Sequence, residues 1–106
     1  MPERNRRGEP VVTLYSKSRA LAKPVEEWMK HEGVELKVVE TVPPRGVKAQ
    51  ILLHGCSLNS SVEKAAARLG GVPCVVPESL DWVLERCQRG LVDVMVGYDW
   101  VRTGLL

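Results

Sequence analysis

The sequence contains no phenylalanine, and aromatic residues make up only 5% of its 106 positions. It has no continuous apolar run of about 18 residues, the length from which a membrane-spanning helix is built. Its three cysteines form no CxxC pair and have no histidines at metal-ligand spacing, so a disulfide framework and a zinc site are both unexpected. The sequence therefore predicts reduced, buried thiols, no metal or other cofactor, and no contact with a membrane.

Charge is nearly balanced over the whole chain but not along it. Fifteen basic and thirteen acidic residues give a net charge of +2, which is too small to indicate nucleic-acid binding by charge alone. The first ten residues carry Arg4, Arg6 and Arg7, and this polar segment is typical of a flexible arm outside the fold. Its arginines open the hypothesis of weak, sequence-independent contact with DNA phosphates. The alternative is a solvated terminus.

Hydrophobic periodicity predicts a single domain in which strands and helices alternate. Strand patterns cover 11–15, 36–39, 51–54 and 73–76, and helical spacing covers 21–29, 62–69 and 80–87. Because helix-length segments separate most of these strands, the order βαββαβα predicts an α/β fold with a small, largely parallel, four-stranded sheet flanked by three helices. Residues 91–96 form either a short further strand or an extended tail.

These patterns also set the expected boundaries. We expect a flexible arm at 1–10, the domain at 11–98 and a C-terminal tail at 99–106. Trp100 then lies beyond the predicted fold, where it either packs back onto the domain or contacts a partner.

One run in the second half of the chain, LGGVPCVVPESLDWVLERC at 69–87, is distinctive. Two glycines end one helix, a short apolar strand follows, and the next helix carries Trp82 eight residues before Gly90. This run and the element order resemble a BRCT domain over roughly residues 11–98. The chain departs from the family pattern at Lys17, where many members have glycine, and in lacking the phenylalanine that members often carry. It is also faintly similar to the BRCT domain of a kinetoplastid kinetochore protein.

The resemblance implies a phosphate site. Phosphopeptide-reading BRCT domains hold phosphate with a hydroxyl and a backbone N–H just after the first strand, and with a lysine at the start of the second helix. Ser16 occupies the hydroxyl position here, and Lys17 supplies the backbone N–H. In the second helix, Ser60 or Ser61 fits the Ser/Thr position and Lys64 is the only lysine. The resemblance therefore implies a phosphate-binding set of Ser16, Lys17, Ser60, Ser61 and Lys64.

The lysine of this set does not match the family spacing. Counting back from Gly70 places the family's lysine at residue 62 or 63, so Lys64 comes one or two places late. Each place rotates a side chain by about 100° around a helix. Lys17 or Arg19 could compensate, because the loop after the first strand brings both cations to the same end of the sheet. The alternative interpretation is that one of the two serines only caps the helix and that Lys64 is solvated.

Enzymatic chemistry is not indicated. A receiver domain needs acidic residues after the first strand, where this chain has Ser16 and Lys17. A cysteine-dependent phosphatase would use Cys56, which follows an apolar strand, but Val62 replaces the arginine required six residues later. His54 has no nucleophile or carboxylate placed beside it by motif. We therefore expect no catalytic residue.

The expected function is binding. The resemblance implies a non-catalytic protein-interaction module that reads phosphoserine or phosphothreonine on a partner, within a nuclear DNA-repair, chromatin or kinetochore scaffold. The alternatives are weak DNA binding through the N-terminal arginines, and a purely structural docking or dimerisation module.

Overall fold

The computed structural model describes residues 3–54, 59–75 and 78–103, which contain five strands and four helices. The strands are β1 (Val11–Tyr15), β2 (Glu35–Val39), β3 (Ile51–His54), β4 (Val72–Val75) and β5 (Val94–Gly97). The helices are α1 (Arg19–His31), α2 (Ser60–Leu69), α3 (Leu80–Gln88) and α4 (Tyr98–Val101). None of the helices in these ranges is long and apolar enough to cross a membrane.

The five strands form one parallel sheet in the order β2-β1-β5-β3-β4. This confirms the predicted α/β class, and the first seven elements follow the predicted order βαββαβα. The counts differ, because β5 adds a fifth strand and α4 adds a fourth helix. β5 lies between β1 and β3 and pairs with both, with Leu14 opposite Met95 and Leu52 opposite Val96.

The central position of β5 follows from its composition. Met95 and Val96 are neighbours that face opposite sides of the sheet, and both are fully buried. A strand covered on both faces is apolar at consecutive positions instead of alternating with polar residues. Of the two interpretations of residues 91–96, the structure shows the strand, at 94–97 and in the middle of the sheet.

Helices cover both faces of the sheet. Met29 of α1 and Val83 of α3 pack into one apolar cluster, and Val62 of α2 and Trp100 of α4 pack into the other. The β1–α1–β2 and β3–α2–β4 crossovers therefore leave the middle of the sheet in opposite directions, with their helices on opposite faces. In open α/β sheets, ligands bind at the carboxyl ends of the strands beside such a reversal.

The segments expected to lie outside the fold make defined contacts with it. In the N-terminal segment, Arg4 pairs with Pro10 in a bridge, and the Val11 N–H donates to the Glu3 carbonyl at 2.8 Å. At the other end, residues 98–101 form α4, and Trp100 is only 9% exposed. Of the two expectations for Trp100, the structure shows packing back onto the domain, because α4 follows directly from the central strand.

Candidate functional site

The first two residues of the predicted phosphate site lie at the carboxyl end of β1. Ser16 is buried, with 4% of its surface exposed, and its hydroxyl lies 2.9 Å from Oδ2 of Asp99 and 3.1 Å from the Ser18 carbonyl. The backbone N–H of Lys17 donates to the same Asp99 oxygen at 2.8 Å. The hydroxyl and the N–H expected to hold phosphate therefore converge on a single anionic oxygen, and that oxygen belongs to the chain itself.

Asp99 reaches this position because it lies in α4, two residues after the end of the central strand. A side chain at Gly97 would obstruct it, since a Cβ there would lie 2.6 Å from Oδ1 of Asp99 and 3.3 Å from the Tyr15 carbonyl oxygen. Oδ1 is buried, and within the described residues it has no hydrogen-bond partner. None of the ion pairs in those residues involves Asp99. Among the described residues, the carboxylate is therefore held through Oδ2 only.

The side chain of Lys17 contacts α4 as well. Its ammonium lies 5.9 Å from the centre of the Trp100 ring, within the range of a cation–π interaction. The indole is part of the apolar cluster beneath α2, together with Leu52 and Val62. Lys17 therefore contacts α4 twice, through its backbone N–H to Asp99 and through its ammonium to Trp100.

The other three predicted residues lie on α2. Ser60, Ser61 and Lys64 are all exposed, and Ser61 and Lys64 border a shallow depression together with Val101 of α4. Within the described residues, no hydrogen bond or ion pair joins any of the three to Ser16 or Lys17. The fourth helix contacts both groups, since Asp99 bonds to the β1 end and Val101 borders the α2 group.

The cap of α2 is neither of the serines proposed for it. Asn59 occupies the N-cap position, and its Oδ1 accepts a hydrogen bond from the Val62 N–H at 3.0 Å. The capping interpretation of Ser60 or Ser61 is therefore wrong about the residue. Val62, one of the two positions where the family spacing places its lysine, is fully buried.

A cleft opens beside the Ser16–Asp99 contact, at the carboxyl edge of the sheet. Its volume is about 300 Å³. Apolar side chains from β1, β3, α1 and α4 form most of its walls, and three polar residues complete them. Its lining residues include Leu14, Leu21, Val25, Ser16, Asp99 and Arg102. Leu21 is 71% exposed at the rim. The cleft lies where the two crossovers diverge, as expected for a ligand site in a parallel sheet.

Two of the three N-terminal arginines share a groove with carboxylates. The Arg4 guanidinium donates to the Gly8 carbonyl at 2.7 Å. Arg6 and Arg7 line a groove whose other charged residues include Glu9, Glu26 and Glu35. Because acidic and basic groups share this groove, it does not present the uniformly positive surface that favours a DNA backbone.

The cysteines of the described region are buried thiols. Burial raises the pKa of Cys74 to about 11, against a smaller lowering effect of the Arg86 guanidinium. Burial, with a further contribution from Cys74, raises the pKa of Cys87 to about 12. Neither thiol is poised to act as a nucleophile near neutral pH. Cys56 and the side chain of His54 lie outside the described part of the chain.

No family model matches the chain, and no curated protein or solved structure matches it either. Two residues of this region, Asn59 and Asp99, were missed by the sequence analysis. A signal existed for Asn59, since asparagine is among the preferred N-cap residues. None existed for Asp99, because its contact depends on where β5 enters the sheet.

Proposed function

We propose that this chain is a non-catalytic protein-interaction module that binds phosphoserine or phosphothreonine at the carboxyl edge of its sheet, beside Ser16. The observation that carries the proposal is the convergence of the Ser16 hydroxyl and the Lys17 N–H on one anionic oxygen, at 2.9 Å and 2.8 Å. Two donors that converge on one carboxylate oxygen can also converge on a phosphate oxygen, because hydrogen bonds to an ionised acceptor are short and strong.

Two cations near these donors support binding of a dianion. Lys17 contributes its ammonium in addition to its backbone N–H. Arg102 lines the same cleft as Ser16, and its guanidinium forms none of the ion pairs found among the described residues. Among the described residues, no hydrogen bond or ion pair joins Lys64 to Ser16 or Lys17, and Lys64 borders a depression with Val101 instead. We therefore assign the cationic role to Lys17 and Arg102 ahead of Lys64.

The apolar part of the cleft gives a partner further contacts. Leu14 and Val25 line it, and Leu21 is exposed at its rim, so an apolar residue next to the phosphorylated one has a surface to cover. We expect dissociation constants of roughly micromolar or weaker, because so small a site gains little beyond the phosphate once association entropy is lost. By its resemblance to BRCT domains, the proposed setting is a nuclear DNA-repair, chromatin or kinetochore scaffold.

The test compares a phosphoserine peptide library with its unphosphorylated twin, by fluorescence anisotropy. We expect measurable binding of the phosphorylated library only. Ser16→Ala removes the hydroxyl donor, and Lys17→Ala removes the ammonium but keeps the backbone N–H. Each should weaken binding by about threefold to tenfold or more. Lys64→Ala should have a smaller effect.

Lys48→Ala is the matched control. It removes the same charge from an exposed lysine that precedes β3, at the amino edge of the sheet and therefore opposite the site. Its affinity should equal that of the unaltered chain. If Lys48→Ala and Lys17→Ala weaken binding equally, general charge and not the site is responsible.

A second candidate function is phosphate-independent docking, which the exposed apolar side chain of Leu21 at the cleft rim favours. In that case phosphorylated and unphosphorylated peptides bind equally, and Leu21→Ser weakens both. DNA binding through Arg6 and Arg7 has less support, since the groove that they line also contains three glutamates.

A further inference from the structure

The anion site at Ser16 is already filled by a side chain of the same molecule. Oδ2 of Asp99 accepts from both the Ser16 hydroxyl and the Lys17 N–H. Each of these groups has a single proton to donate, and the Ser16 hydroxyl also lies 3.1 Å from the Ser18 carbonyl oxygen, so neither can form its full bond to a second anion while Asp99 is in place. A phosphate brought to this position would also meet the Asp99 carboxylate at close range, and like charges at such distances repel.

We propose that Asp99 is a built-in competitor for this site, and that an external phosphate binds there only after the Asp99 carboxylate has left Ser16 and Lys17. This inference rests on the proposed function, because it concerns the regulation of the same site. It makes α4 an autoinhibitory element: its carboxylate takes the place of the partner's anion when no partner is bound.

The contact has features of a bond that can be released. One carboxylate oxygen of Asp99 is buried without a hydrogen-bond partner among the described residues. A buried acceptor left unpaired loses its hydration without compensation, so this internal anion is bound less favourably than one whose oxygens are all satisfied. No cation in the described residues forms an ion pair with it. A dianionic phosphate has more charge and more oxygens to offer the same donors.

Release need not unfold α4. The helix is anchored independently through Trp100, which is 9% exposed and packs in the apolar cluster with Val62 and Leu52. The Asp99 side chain can change rotamer while that anchor stays in place. The site can therefore open by movement of the Asp99 side chain alone, while Trp100 stays beneath the Lys17 ammonium.

The experiment removes the Asp99 carboxylate and follows the backbone N–H of Lys17. Asp99→Ala is titrated with inorganic phosphate and with phosphoserine, and binding is followed at the backbone amide of Lys17 by NMR. We expect a saturable shift of that amide, with an affinity at least about tenfold higher than that of the unaltered chain, since two hydrogen bonds to an ionised group no longer compete. Asp99→Asn keeps an acceptor but loses the charge, so it should give an intermediate affinity.

Asp93→Ala is the matched control. It makes the same change in net charge at an exposed residue just before β5, at the opposite edge of the sheet. A gain in affinity shared by Asp93→Ala would be a general charge effect and would overturn the proposal. Equal affinities of Asp99→Ala and the unaltered chain would also overturn the proposal. The same holds if the backbone amide signal of Lys17 shifts in neither protein. The amide spectra also show whether each variant is folded, and Asp99→Asn provides the same comparison if Asp99→Ala is not.

These outcomes separate the two proposals. If Asp99→Ala binds inorganic phosphate at Lys17 but does not distinguish a phosphopeptide from its unphosphorylated twin, competition by Asp99 is supported and the phosphopeptide-reading function is wrong. If the unaltered chain already binds phosphopeptide as tightly as Asp99→Ala does, the phosphopeptide-reading function is supported and competition by Asp99 is wrong.

Discussion

At the scale of single residues, Gly97 and Asp99 determine which group the end of β1 contacts. Gly97 leaves room beside the Tyr15 carbonyl, and the Asp99 carboxylate uses that room to reach the Ser16 hydroxyl and the Lys17 N–H. Neither Gly97 nor Asp99 belongs to a motif that spacing alone would identify. They come together because strands β1 and β5 are neighbours and end at the same edge of the sheet.

The two buried thiols make the free energy of unfolding depend on pH in the alkaline range. Burial raises the pKa of Cys74 to about 11 and that of Cys87 to about 12, from an ordinary value of 9.0. Below pH 9 both states keep these protons, so stability is unaffected. Above pH 9 the unfolded chain releases them while the native chain retains them, and the free energy of unfolding should fall by up to about 1.4 kcal/mol per pH unit for each thiol.

Urea denaturation between pH 7 and pH 10.5 measures this effect, with Cys87→Ala as the comparison. The variant should be less stable at pH 7 because it leaves a cavity, but its stability should decline less steeply above pH 9. All other residues are the same in the two proteins, so their contributions cancel in the difference. Parallel curves for the two proteins would show that the Cys87 thiol is not protected in the native state.

At the scale of elements, the start of α2 depends on Asn59. Its side-chain oxygen accepts from the Val62 N–H at 3.0 Å, which satisfies one of the donors left free at a helix start. Asn59→Ala should therefore reduce the free energy of unfolding by about 1 kcal/mol. Ser61→Ala, on an exposed residue of the same turn, should change it by less than about 0.5 kcal/mol. Chemical denaturation of both variants decides the assignment, and the reverse ranking would restore the serine as the cap.

Local chemistry predicted most of these elements. The residue after α2, Gly70, has φ of +75°, which glycine accepts without strain, and Ser18 caps α1 by accepting from the Leu21 N–H. Such features depend on a few neighbouring residues, so the sequence contains them. The position of β5 does not: an apolar run at 94–96 is compatible with an edge strand or a tail until its pairing partners are known.

The candidate site divides in the same way. The resemblance to BRCT domains pointed to Ser16 and Lys17, and the structure brings their hydroxyl and N–H to one anion. The resemblance could not indicate that the anion is Asp99, because the sequence places that residue in a C-terminal tail. The contact joins residues more than eighty positions apart, and only the topology of the sheet brings them together.

At the scale of the whole molecule, the sheet is continuous only because its last strand enters the middle. β1 bonds to β2 on one side and β5 on the other, and β3 bonds to β4 and β5. No direct β1–β3 pairing exists in the described sheet. The two outer pairs, each a βαβ unit with its own helix, are therefore held together through β5 and through the helices that pack across them.

Truncation after Gly90 tests this dependence on β5. The shortened chain keeps the βαββαβα elements that resemble a BRCT domain, but it loses β5, α4 and the buried side chains of Val92, Met95, Val96 and Trp100. Burying four such side chains contributes roughly 6 to 12 kcal/mol, which is comparable to the whole stability of a small domain. We expect residues 1–90 to show no cooperative unfolding transition by circular dichroism. A chain of residues 1–103 retains every described element and should unfold cooperatively. A cooperative transition for residues 1–90 would mean that β1 and β3 can pair directly, and that the four-stranded sheet predicted from the sequence is a stable fold without its central strand.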